Sequence, residues 1–592
     1  MKPQYPIEID YSRDDLFEEM GMRRLRDSYL ADDETSPQER FAYVSAAFAS
    51  NEAHAKRMYN YASRHWVSFA TPILAFKGSK EGMPISCFLS YVHDSKEGLV
   101  DALAEIAVLS MGGGGVGIGL GIRSEDSKSV GIGPHQKVFE AVSLAYRQGK
   151  TRRGSFAGYL DIDHPNMQDH LDLRKPTGDQ SKRCMELHHA FNISDDFMQR
   201  VEACMMDPDA DDRWELRDPH TGAVKEVVSV RNTWEQMLET RMRTGEPFMH
   251  FIDASNRAMP WYQQAKGLKI VQSNICTEIT LPTDKDRTAV CCLSSPNLEY
   301  WDDWKNDPLF LDDLGEFLDN CLQYYIDNAS ERAKRAAYSA MRERAIGVGA
   351  IGFHALLQKK MIAFESPMAK GLNITIFQHI RKSLDACSVR LAHARGPCPD
   401  AADYGVMERF SCKMAVAPNA STSIVMNNTS ASVEPIRANA VRQDTLSGSF
   451  ILKNRRLDEI LKNRFGTGDY YDEIWRSIVK NAGSVQHLDE ELTERERNIF
   501  KTASELDQMW IIEFAADRQK FIDQAQSINI FFKADVSVEY LHHVHFMAWK
   551  KGLKTLYYCR SDKLYSGEGN QRRKVVHNFQ QTLDEGCIAC EG

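Results

Sequence analysis

The sequence has 592 residues, with 73 Lys and Arg against 83 Asp and Glu, which gives a formal charge of −10. With 43% hydrophobic residues it can bury a large core, which excludes an intrinsically disordered protein. The acidic balance argues against a nucleic-acid binder, and the sequence has neither an apolar run of about 20 residues nor a secretory signal. These features predict a soluble, cytoplasmic protein with no nucleic-acid or membrane partner.

Helical patterns dominate the first part of the chain. Ser36 and Glu39 form a capping box with Pro37 at the first helical position, which predicts a helix start there. A second helix is predicted from Leu99 to Met111, followed by a strand-like run of glycines and aliphatic residues. Further helices are predicted over 311–345, 369–395, 466–530 and 538–552, with loops and strands at 397–450. No internal repeat divides the chain, which favours one large α/β domain.

The 13 cysteines are too sparse, and odd in number, for a disulfide-stapled secreted domain. Six are predicted to be ordinary buried side chains, namely Cys184, Cys204, Cys321, Cys387, Cys398 and Cys412. Cys587 and Cys590 differ, because they form a CxxC in a polar tail without the second CxxC that a zinc ribbon needs. Two exposed thiols on an arm suit thiol–disulfide exchange, although a CxxC without function stays open.

The segment SNICTE at 273–278 combines an amide, a thiol and a carboxylate. In an extended segment Asn274, Cys276 and Glu278 point to the same side. Such a face suits a reactive cysteine with a general base and a hydrogen-bonding group beside it.

Other patterns are weak on their own. Gly112, Gly114 and Gly117 satisfy GxGxxG, but a predicted helix precedes them and a strand follows, which disfavours a dinucleotide-binding fingerprint. The run at 420–423 suits an anion held by backbone N–H groups, or is an ordinary Ser/Thr-rich turn.

Two clusters near the C-terminus are equally modest. His542, His543 and His545 lie close together, but a third ligand on one helix face is not evident, which disfavours a metal site. Adjacent phenols such as Tyr557 and Tyr558 are ordinarily packed aromatics.

Many short motifs nevertheless occur in one order along the chain: FATPIL, ISCFLSYVHDS, GGGGVGIG, SNICTEI, CCLSSPNL, RAIGVGAIGFHALL, APNASTSIV, VEP, DRQKFIDQAQSIN, KTLYY and the tail CxxC. In this order they resemble the large, catalytic subunit of class I ribonucleotide reductase. The resemblance implies a ten-stranded α/β barrel of two five-stranded halves, with a finger loop through its centre. It divides the chain into a helical N-terminal region (1–65), the barrel (66–565, with a specificity region around 94–155) and a flexible redox tail (566–592).

The resemblance also implies a thiyl-radical reduction of ribonucleoside diphosphates. Cys276 would be the transient radical that removes the 3′ hydrogen, Glu278 the general base for the 3′-hydroxyl, and Asn274 a hydrogen-bonding partner of the sugar. Cys87 and Cys291 match the two reducing cysteines, and their distance in sequence implies that two different strands bring them together. Cys292 is the other candidate in CCLSSPN, but the alignment of the motif favours Cys291.

Partners and cofactors follow from the same resemblance. Tyr557 and Tyr558 would pass the radical from a separate small subunit that carries a metal–tyrosyl or metal radical cofactor, and this chain would hold no covalent cofactor and no metal. Cys587 and Cys590 would re-reduce the cysteine pair and pass the oxidation to thioredoxin or glutaredoxin. The chain would form a homodimer.

Two binding sites are implied as well. The substrate ribose and diphosphate would contact Thr71, Ser86, Gly115, Ala420, Ser421, Thr422 and Ser423. A nucleoside triphosphate effector with Mg²⁺ would contact Asp94, Gln148 and Arg152. The loop 148–154 contains Lys150 and Arg153, whereas the family loop is usually richer in glycine.

One departure concerns the N-terminus, where the capping box at Ser36 already opens the helical body and leaves no room for an ATP cone. The sequence therefore predicts no on/off regulation by dATP through such a domain. Two enzymatic alternatives are a cobalamin-dependent class II reductase and a glycyl-radical enzyme, which KTLYY and the absence of a glycine-radical loop disfavour. A third is a nucleotide-binding regulatory homologue without catalysis, which the intact cysteines disfavour.

Overall fold

The computed structural model describes residues 5–78, 82–146, 154–445 and 448–561. The predicted redox tail, with Cys587 and Cys590, therefore lies outside the described residues. The predicted effector residues Gln148 and Arg152 lie outside them as well. Within the described ranges, no helix is both long and apolar enough to cross a membrane.

The described chain alternates helices and strands. The strands are β1 (Val67–Phe69), β2 (Cys87–His93), β3 (Gly115–Gly121), β4 (Phe156–Asp161), β5 (Leu187–Ile193), β6 (Arg213–Arg217), β7 (Val224–Ser229), β8 (Phe248–Phe251), β9 (Ala289–Pro296), β10 (Ile346–Val348), β11 (Ala440–Thr445), β12 (Gly448–Lys453), β13 (Ile530–Phe532), β14 (Thr555–Leu556) and β15 (Cys559–Ser561). The helices of the first half are α1 (Glu19–Ser28), α2 (Pro37–Ala47), α3 (Glu52–Ser63), α4 (Thr71–Leu74), α5 (Lys96–Met111), α6 (Ile132–Ala145), α7 (Met167–Leu171), α8 (Asp195–Met206), α9 (Val230–Thr244), α10 (Ile252–Ala258), α11 (Trp261–Ala265) and α12 (Trp301–Trp304). Those of the second half are α13 (Phe310–Asn328), α14 (Lys334–Glu343), α15 (Phe353–Lys359), α16 (Pro367–Arg395), α17 (Pro399–Ala402), α18 (Ala420–Val425), α19 (Arg455–Phe465), α20 (Asp469–Lys480), α21 (Glu494–Ile499), α22 (Gln508–Gln519) and α23 (Val538–Lys550).

The N-terminal region is helical, as the sequence predicts. Ser36 caps α2, and the side chain of Glu39 returns to the Ser36 backbone amide at 3.1 Å, so the capping box forms with Pro37 in the first turn. The helices α2 and α3 pack side by side, and α1 packs against α18 of the barrel.

The first half of the barrel is a parallel sheet. The strands β2, β3, β4, β5 and β8 pair in that order, each parallel to its neighbour. Helices connect successive strands, because parallel neighbours need a crossover connection.

The second half is also parallel and contains β9, β10, an extended segment at 412–416, β13 with the residues just before it, and β15. The parallel contacts are β10 with β9, Val348 with Met414, Val416 with Gln526, and β13 with β15.

Two antiparallel junctions join the halves. β2 pairs with β9, and β8 pairs with β14, which belongs with β15 to the single stretch 555–561. Together these pairings close ten strands into a ring, so the predicted ten-stranded barrel of two five-stranded halves is confirmed.

A loop fills the interior of the ring, as the resemblance implies. This finger loop, residues 272–283, lies between α11 and β9, and all of its residues are buried. Tyr159 on β4 donates its hydroxyl hydrogen to Asn274 O at 2.5 Å, and the Ala525 amide from the opposite half donates to Glu278 O at 2.9 Å. The loop is therefore held by both halves of the barrel.

The close approach of this loop requires glycine on β3. A Cβ atom at Gly117 would lie 1.9 Å from Ser273 O and 2.8 Å from the Asn274 Cα atom, both of which are backbone atoms. Gly117 and Gly119, where a Cβ would lie 2.7 Å from Gln272 Oε1, thus leave the volume that the finger loop occupies.

Gly117→Ala tests this packing. We expect the substitution to displace the finger loop and to lower stability by about 1–3 kcal/mol, the usual cost of overpacking. Thermal unfolding followed by calorimetry measures the shift. Gly371→Ala in α16 is the matched control, because a Cβ there meets no atom within 4 Å, and helix propensity predicts a gain of about 0.5–1 kcal/mol. Equal midpoints for the two variants would contradict the packing argument.

Candidate active site

A pair of cysteines lies at the junction of the two half-barrels. Cys87 on β2 and Cys291 on β9 are directly opposite each other in the antiparallel register, and both are completely buried thiols. Opposed Cα atoms in such a pair are about 4.5–5.5 Å apart, within the roughly 4.4–6.8 Å that a disulfide spans. The register thus places two distant sequence motifs within disulfide distance.

Cys292 lies on the other face of the same strand. Successive side chains of a strand point to opposite faces, and the Cys292 thiol lies beside Cys321 of α13. The geometry therefore selects Cys291 rather than Cys292 as the partner of Cys87.

The Cys87 thiol also contacts the finger loop. Asn274 Nδ2 donates to Cys87 Sγ at 3.6 Å, and the Cys87 thiol donates to Glu278 Oε1 at 3.9 Å. Ser527 Oγ donates to the second oxygen, Glu278 Oε2, at 3.1 Å, and Ser86 Oγ lies 3.4 Å from Cys87 Sγ. An amide, a thiol and a carboxylate are thus brought together in one enclosed space.

The shape of the loop differs from the extended segment that the sequence suggests. Residues 275–276 form a turn, and Thr277 adopts φ +70° in the left-handed region. The Ile279 amide donates to Asn274 Oδ1 at 3.1 Å, which holds the two arms of the turn together. Because of this turn, Asn274 and Glu278 both reach Cys87, whereas Cys276 reaches a different neighbour.

That neighbour is the tyrosine pair. Tyr557 Oη donates to Cys276 Sγ at 3.6 Å, and the ring centroids of Tyr557 and Tyr558 are 4.2 Å apart. The Arg560 guanidinium lies 4.0 Å from the centre of the Tyr558 ring, a cation–π contact. A thiol and two phenols therefore form one continuous line of buried groups.

Buried polar groups that the sequence analysis did not identify support this line. Arg241 Nη2 donates to Tyr557 O at 3.0 Å, and the His188 ring lies edge-on to Tyr558 with centroids 6.3 Å apart. His188 Nδ1 lies 2.7 Å from Glu246 Oε1, which also accepts from Arg174 at 3.0 Å. Burial raises the pKa of Glu246, but these partners outweigh it and hold that pKa well below its usual 4.5.

Cys559, directly after the pair, is a packed thiol. Its Sγ lies 3.7 Å from Met242 Sδ, and burial raises its pKa to about 11. A thiol with such a pKa stays protonated near neutral pH and is a poor nucleophile.

The residues with predicted substrate roles lie at or just before the starts of β2, β3, α4 and α18. Ser86 and Gly115 adjoin Cys87, and the Gly115 amide donates to Ser86 O at 2.7 Å. Thr71 begins α4, and its Oγ1 lies 3.2 Å from the hydroxyl of Tyr29, which directly follows α1.

The predicted phosphate loop forms the short helix α18. Ala420, Ser421, Thr422 and Ser423 make its first turn, and Arg24 of α1 donates to Ser421 Oγ at 3.1 Å. Asn419, just before the helix, donates instead to Ser295 Oγ on β9 at 2.8 Å, which ties the loop to the strand that carries Cys291.

Asp94 lies at the end of β2, away from the cysteines along the strand. Its Oδ2 accepts from the Arg123 backbone amide at 3.1 Å, and the Arg123 guanidinium forms an ion pair with it, with Nε 2.9 Å from Oδ2. Arg123 escaped the sequence analysis, since only folding brings it beside Asp94. Among the described residues, no group of three or more His, Cys, Asp and Glu side chains is placed to hold a metal ion.

Comparison with known proteins assigns this fold to a family. The family model described as "Ribonucleotide reductase, barrel domain" matches residues 85–405 and 400–559, and the one described as "Ribonucleotide reductase, all-alpha domain" matches residues 15–82. The chain belongs to the ribonucleotide reductase large-subunit family. The predicted resemblance is confirmed, and with it membership of an oxidoreductase family; the absence of an ATP cone stays a prediction.

Relatives from several sources agree. A protein of Invertebrate iridescent virus 3 named "Ribonucleoside-diphosphate reductase large subunit" is 45% identical over 99% of this chain and 100% of its own length. One of the same name from Caenorhabditis elegans is 30% identical over 99% of this chain and 82% of its own length. Among solved structures, the Actinobacillus ureae class Id ribonucleotide reductase alpha subunit superposes with a TM-score of 0.81 at 32% identity, over 95% of this chain and 100% of its own.

Oxidation of the purified chain with diamide tests the register. We expect a disulfide between Cys87 and Cys291, because their Cα atoms are opposed and their side chains share a face. Cys291→Ser removes this cross-link, whereas Cys292→Ser leaves it intact. Alkylation of the remaining thiols followed by peptide mass spectrometry identifies the bonded pair. A dominant bond between Cys87 and Cys292 would contradict the structure.

Proposed function

We propose that this chain is the catalytic subunit of a class I ribonucleoside-diphosphate reductase, which converts ribonucleoside diphosphates to 2′-deoxyribonucleoside diphosphates. The observation that carries the proposal is the grouping of these side chains inside the barrel. Cys87 lies opposite Cys291 and contacts both Glu278 and Asn274, and Tyr557 contacts Cys276.

The line of phenols delivers the radical. An oxidising equivalent is supplied by a metal–tyrosyl or metal radical cofactor on a separate small subunit. Tyr558 and Tyr557 relay it to Cys276, which gives a hydrogen atom to the Tyr557 radical and becomes a thiyl radical. This sulfur takes the 3′ hydrogen atom of the ribose. Its complete burial keeps water and other quenchers away.

The remaining groups complete the reduction. Glu278 accepts the proton of the 3′-hydroxyl as general base, and Asn274 hydrogen-bonds the sugar. The 2′-hydroxyl leaves as water, Cys87 and Cys291 together supply two electrons and two protons, and their sulfurs join in a disulfide. Cys276 returns its hydrogen atom to the 3′ carbon. The net reaction converts one ribonucleotide and two thiols to one deoxyribonucleotide, one disulfide and one water.

The proposal also includes a substrate site and an effector site. The substrate ribose and diphosphate lie against Thr71, Ser86, Gly115 and the first turn of α18, where backbone N–H groups favour an anion. An effector nucleoside triphosphate with Mg²⁺ binds near Asp94, with Gln148 and Arg152 from the loop outside the described residues.

Regeneration and domain division complete the proposal. Cys587 and Cys590 reduce the disulfide between Cys87 and Cys291, and thioredoxin or glutaredoxin then reduces the tail. The N-terminal region (1–65), the barrel (66–565) and the redox tail (566–592) are three units with these separate tasks.

We also propose a homodimer through α5 and α6. The solvent side of α5 presents Val100, Leu103, Ala104, Ala107 and Met111, an i, i+3, i+4, i+7, i+11 pattern that usually faces a partner. The neighbouring α6 adds the exposed side chains of Val138 and Leu144. A contiguous apolar face of this kind marks an interaction surface. In a twofold dimer, α5 and α6 of one copy would pack against the same two helices of the other copy, which is a self-complementary contact.

Turnover is the direct test of function. We expect the chain to convert CDP to dCDP with dithiothreitol and an effector nucleotide only when the cognate small subunit is present, because the radical originates there. Cys276→Ser reduces turnover below detection without changing CDP binding, whereas Cys204→Ser, on the periphery of α8, keeps wild-type rates. Product is quantified by chromatography and binding by calorimetry.

The other outcomes of this assay are equally informative. Turnover with adenosylcobalamin alone would assign the chain to class II and remove the role of Tyr557 and Tyr558. Nucleotide binding without turnover in any arm would support a regulatory homologue, and residual activity of Cys276→Ser would refute the thiyl radical.

Val100→Glu tests the dimer. Val100 is 65% exposed, and a carboxylate there would be buried unpaired at the proposed interface, so we expect at least a tenfold weaker association. Val538→Glu is the matched control, since Val538 is 68% exposed at the start of α23, away from α5. Sedimentation velocity at several concentrations measures both. Equal dissociation constants would contradict the proposed interface.

A further inference from the structure

A glutamine outside the predicted site contacts the reducing cysteine pair. Gln524 lies in the stretch before β13, which pairs with segment 412–416, and its side chain is completely buried. Its Nε2 donates to Cys291 Sγ at 3.4 Å and to Ile346 O at 3.1 Å. Among the described residues, its Oε1 atom has no hydrogen-bond partner although it is buried. Such an unsatisfied acceptor costs free energy, which a purely structural amide would avoid.

The same segment provides a direct comparison. Gln526 is also completely buried, but it follows two residues later and packs toward α22. Its Nε2 donates to Ala515 O at 2.9 Å and its Oε1 accepts from Arg518 at 2.9 Å, so both ends of this amide are satisfied. Gln526 therefore fulfils a structural role, whereas Gln524 directs its donor at a sulfur and leaves its acceptor unpaired.

The surroundings of Cys291 explain why a donor matters there. Burial raises the pKa of the Cys291 thiol well above its usual 9.0, and the neighbouring thiols of Cys87, Cys292 and Cys412 raise it further; the Gln524 amide acts in the opposite direction. Lys554 Nζ donates to the Gln524 backbone carbonyl at 2.7 Å and thereby holds the glutamine in place. The Gln524 side chain thus brings an N–H donor to a sulfur whose negative charge is otherwise poorly solvated.

We propose that Gln524 is a catalytic residue of the thiol–disulfide step, which stabilises Cys291 as the leaving thiolate. In this step an external thiolate attacks Cys87 Sγ, the bond between Cys87 and Cys291 breaks, and Cys291 leaves with the electron pair. A second external thiol then attacks the mixed disulfide, Cys87 leaves as thiolate, and both cysteines take protons from solvent. The external dithiol is oxidised and the protein disulfide reduced. The biological use of this step rests on the proposed function. Its chemistry does not, because it involves only the cysteine pair, Gln524 and an external dithiol.

Two measurements test the inference on the full chain, with neither substrate nor small subunit. After diamide oxidation, the rate at which dithiothreitol restores Cys87 and Cys291 is followed by alkylation and mass spectrometry. Gln524→Met keeps the volume and removes the donor, and we expect a reduction about 10- to 100-fold slower, the range for hydrogen bonds to charged groups. Gln526→Met, the matched control, changes the rate less than twofold.

The position of the mixed disulfide separates catalysis from structure. With the monothiol 2-mercaptoethanol and an acid quench, we expect the wild-type adduct on Cys87, with Cys291 free for alkylation. Gln524→Met should lose this preference, which a general loosening of the fold would not cause. The wild-type adduct requires no variant, so the inference stays testable if Gln524→Met fails to fold.

Two results would contradict the role of Gln524. A wild-type adduct on Cys291, or equal slowing in Gln524→Met and Gln526→Met, overturns the role of Gln524. A wild-type chain without turnover of CDP would refute the proposed function, but the two thiol measurements would still report on the role of Gln524. Normal turnover with no effect of Gln524 would refute this inference alone.

Discussion

The antiparallel pairing of β2 with β9 is the constraint on which the rest of the structure depends. Two parallel half-sheets run in opposite directions, and only at their junctions can residues of both halves lie opposite each other. At this junction one of the opposed pairs consists of two cysteines, Cys87 and Cys291. Because the register fixes their side chains on one face, the finger loop must enter from that face to reach them. The ring thus fixes both the position of the two cysteines and the enclosed space around them.

The interior of the ring is buried and polar, which sets strict demands on hydrogen bonding. Gly117 on β3 makes room for the backbone of the finger loop, and the hydroxyl groups of Tyr159 and Ser527 satisfy its carbonyl and carboxylate oxygens. Arg241 likewise donates a hydrogen bond to the backbone carbonyl of Tyr557. The buried sulfurs of Cys87, Cys276 and Cys291 therefore lie among fixed dipoles, which is the environment that electrostatic preorganisation requires.

Much of this could be predicted from sequence because short motifs carry the chemistry. Cys87, Cys276 and Cys291 lie in recognisable segments, and the helix that begins at Pro37 follows from its capping box. The turn at Thr277 could not be predicted, because its left-handed backbone is imposed by contacts of the loop with the barrel. Arg123 and Gln524 were also missed, since each acquires its partner only through strand pairing between distant parts of the chain. Periodicity and motifs report on neighbours in sequence, not on neighbours created by ring closure.

Ring closure has a consequence for the order of folding. The edge of the first half-barrel is β8, which ends at Phe251, yet its partner β14 begins only at Thr555. During synthesis β8 therefore exposes unpaired backbone groups while the whole second half is made. An open edge of this kind invites pairing with other chains, and contacts between such distant segments form slowly. The architecture that encloses the cysteines so completely thus leaves the nascent chain vulnerable to aggregation until the strands at 555–561 are made.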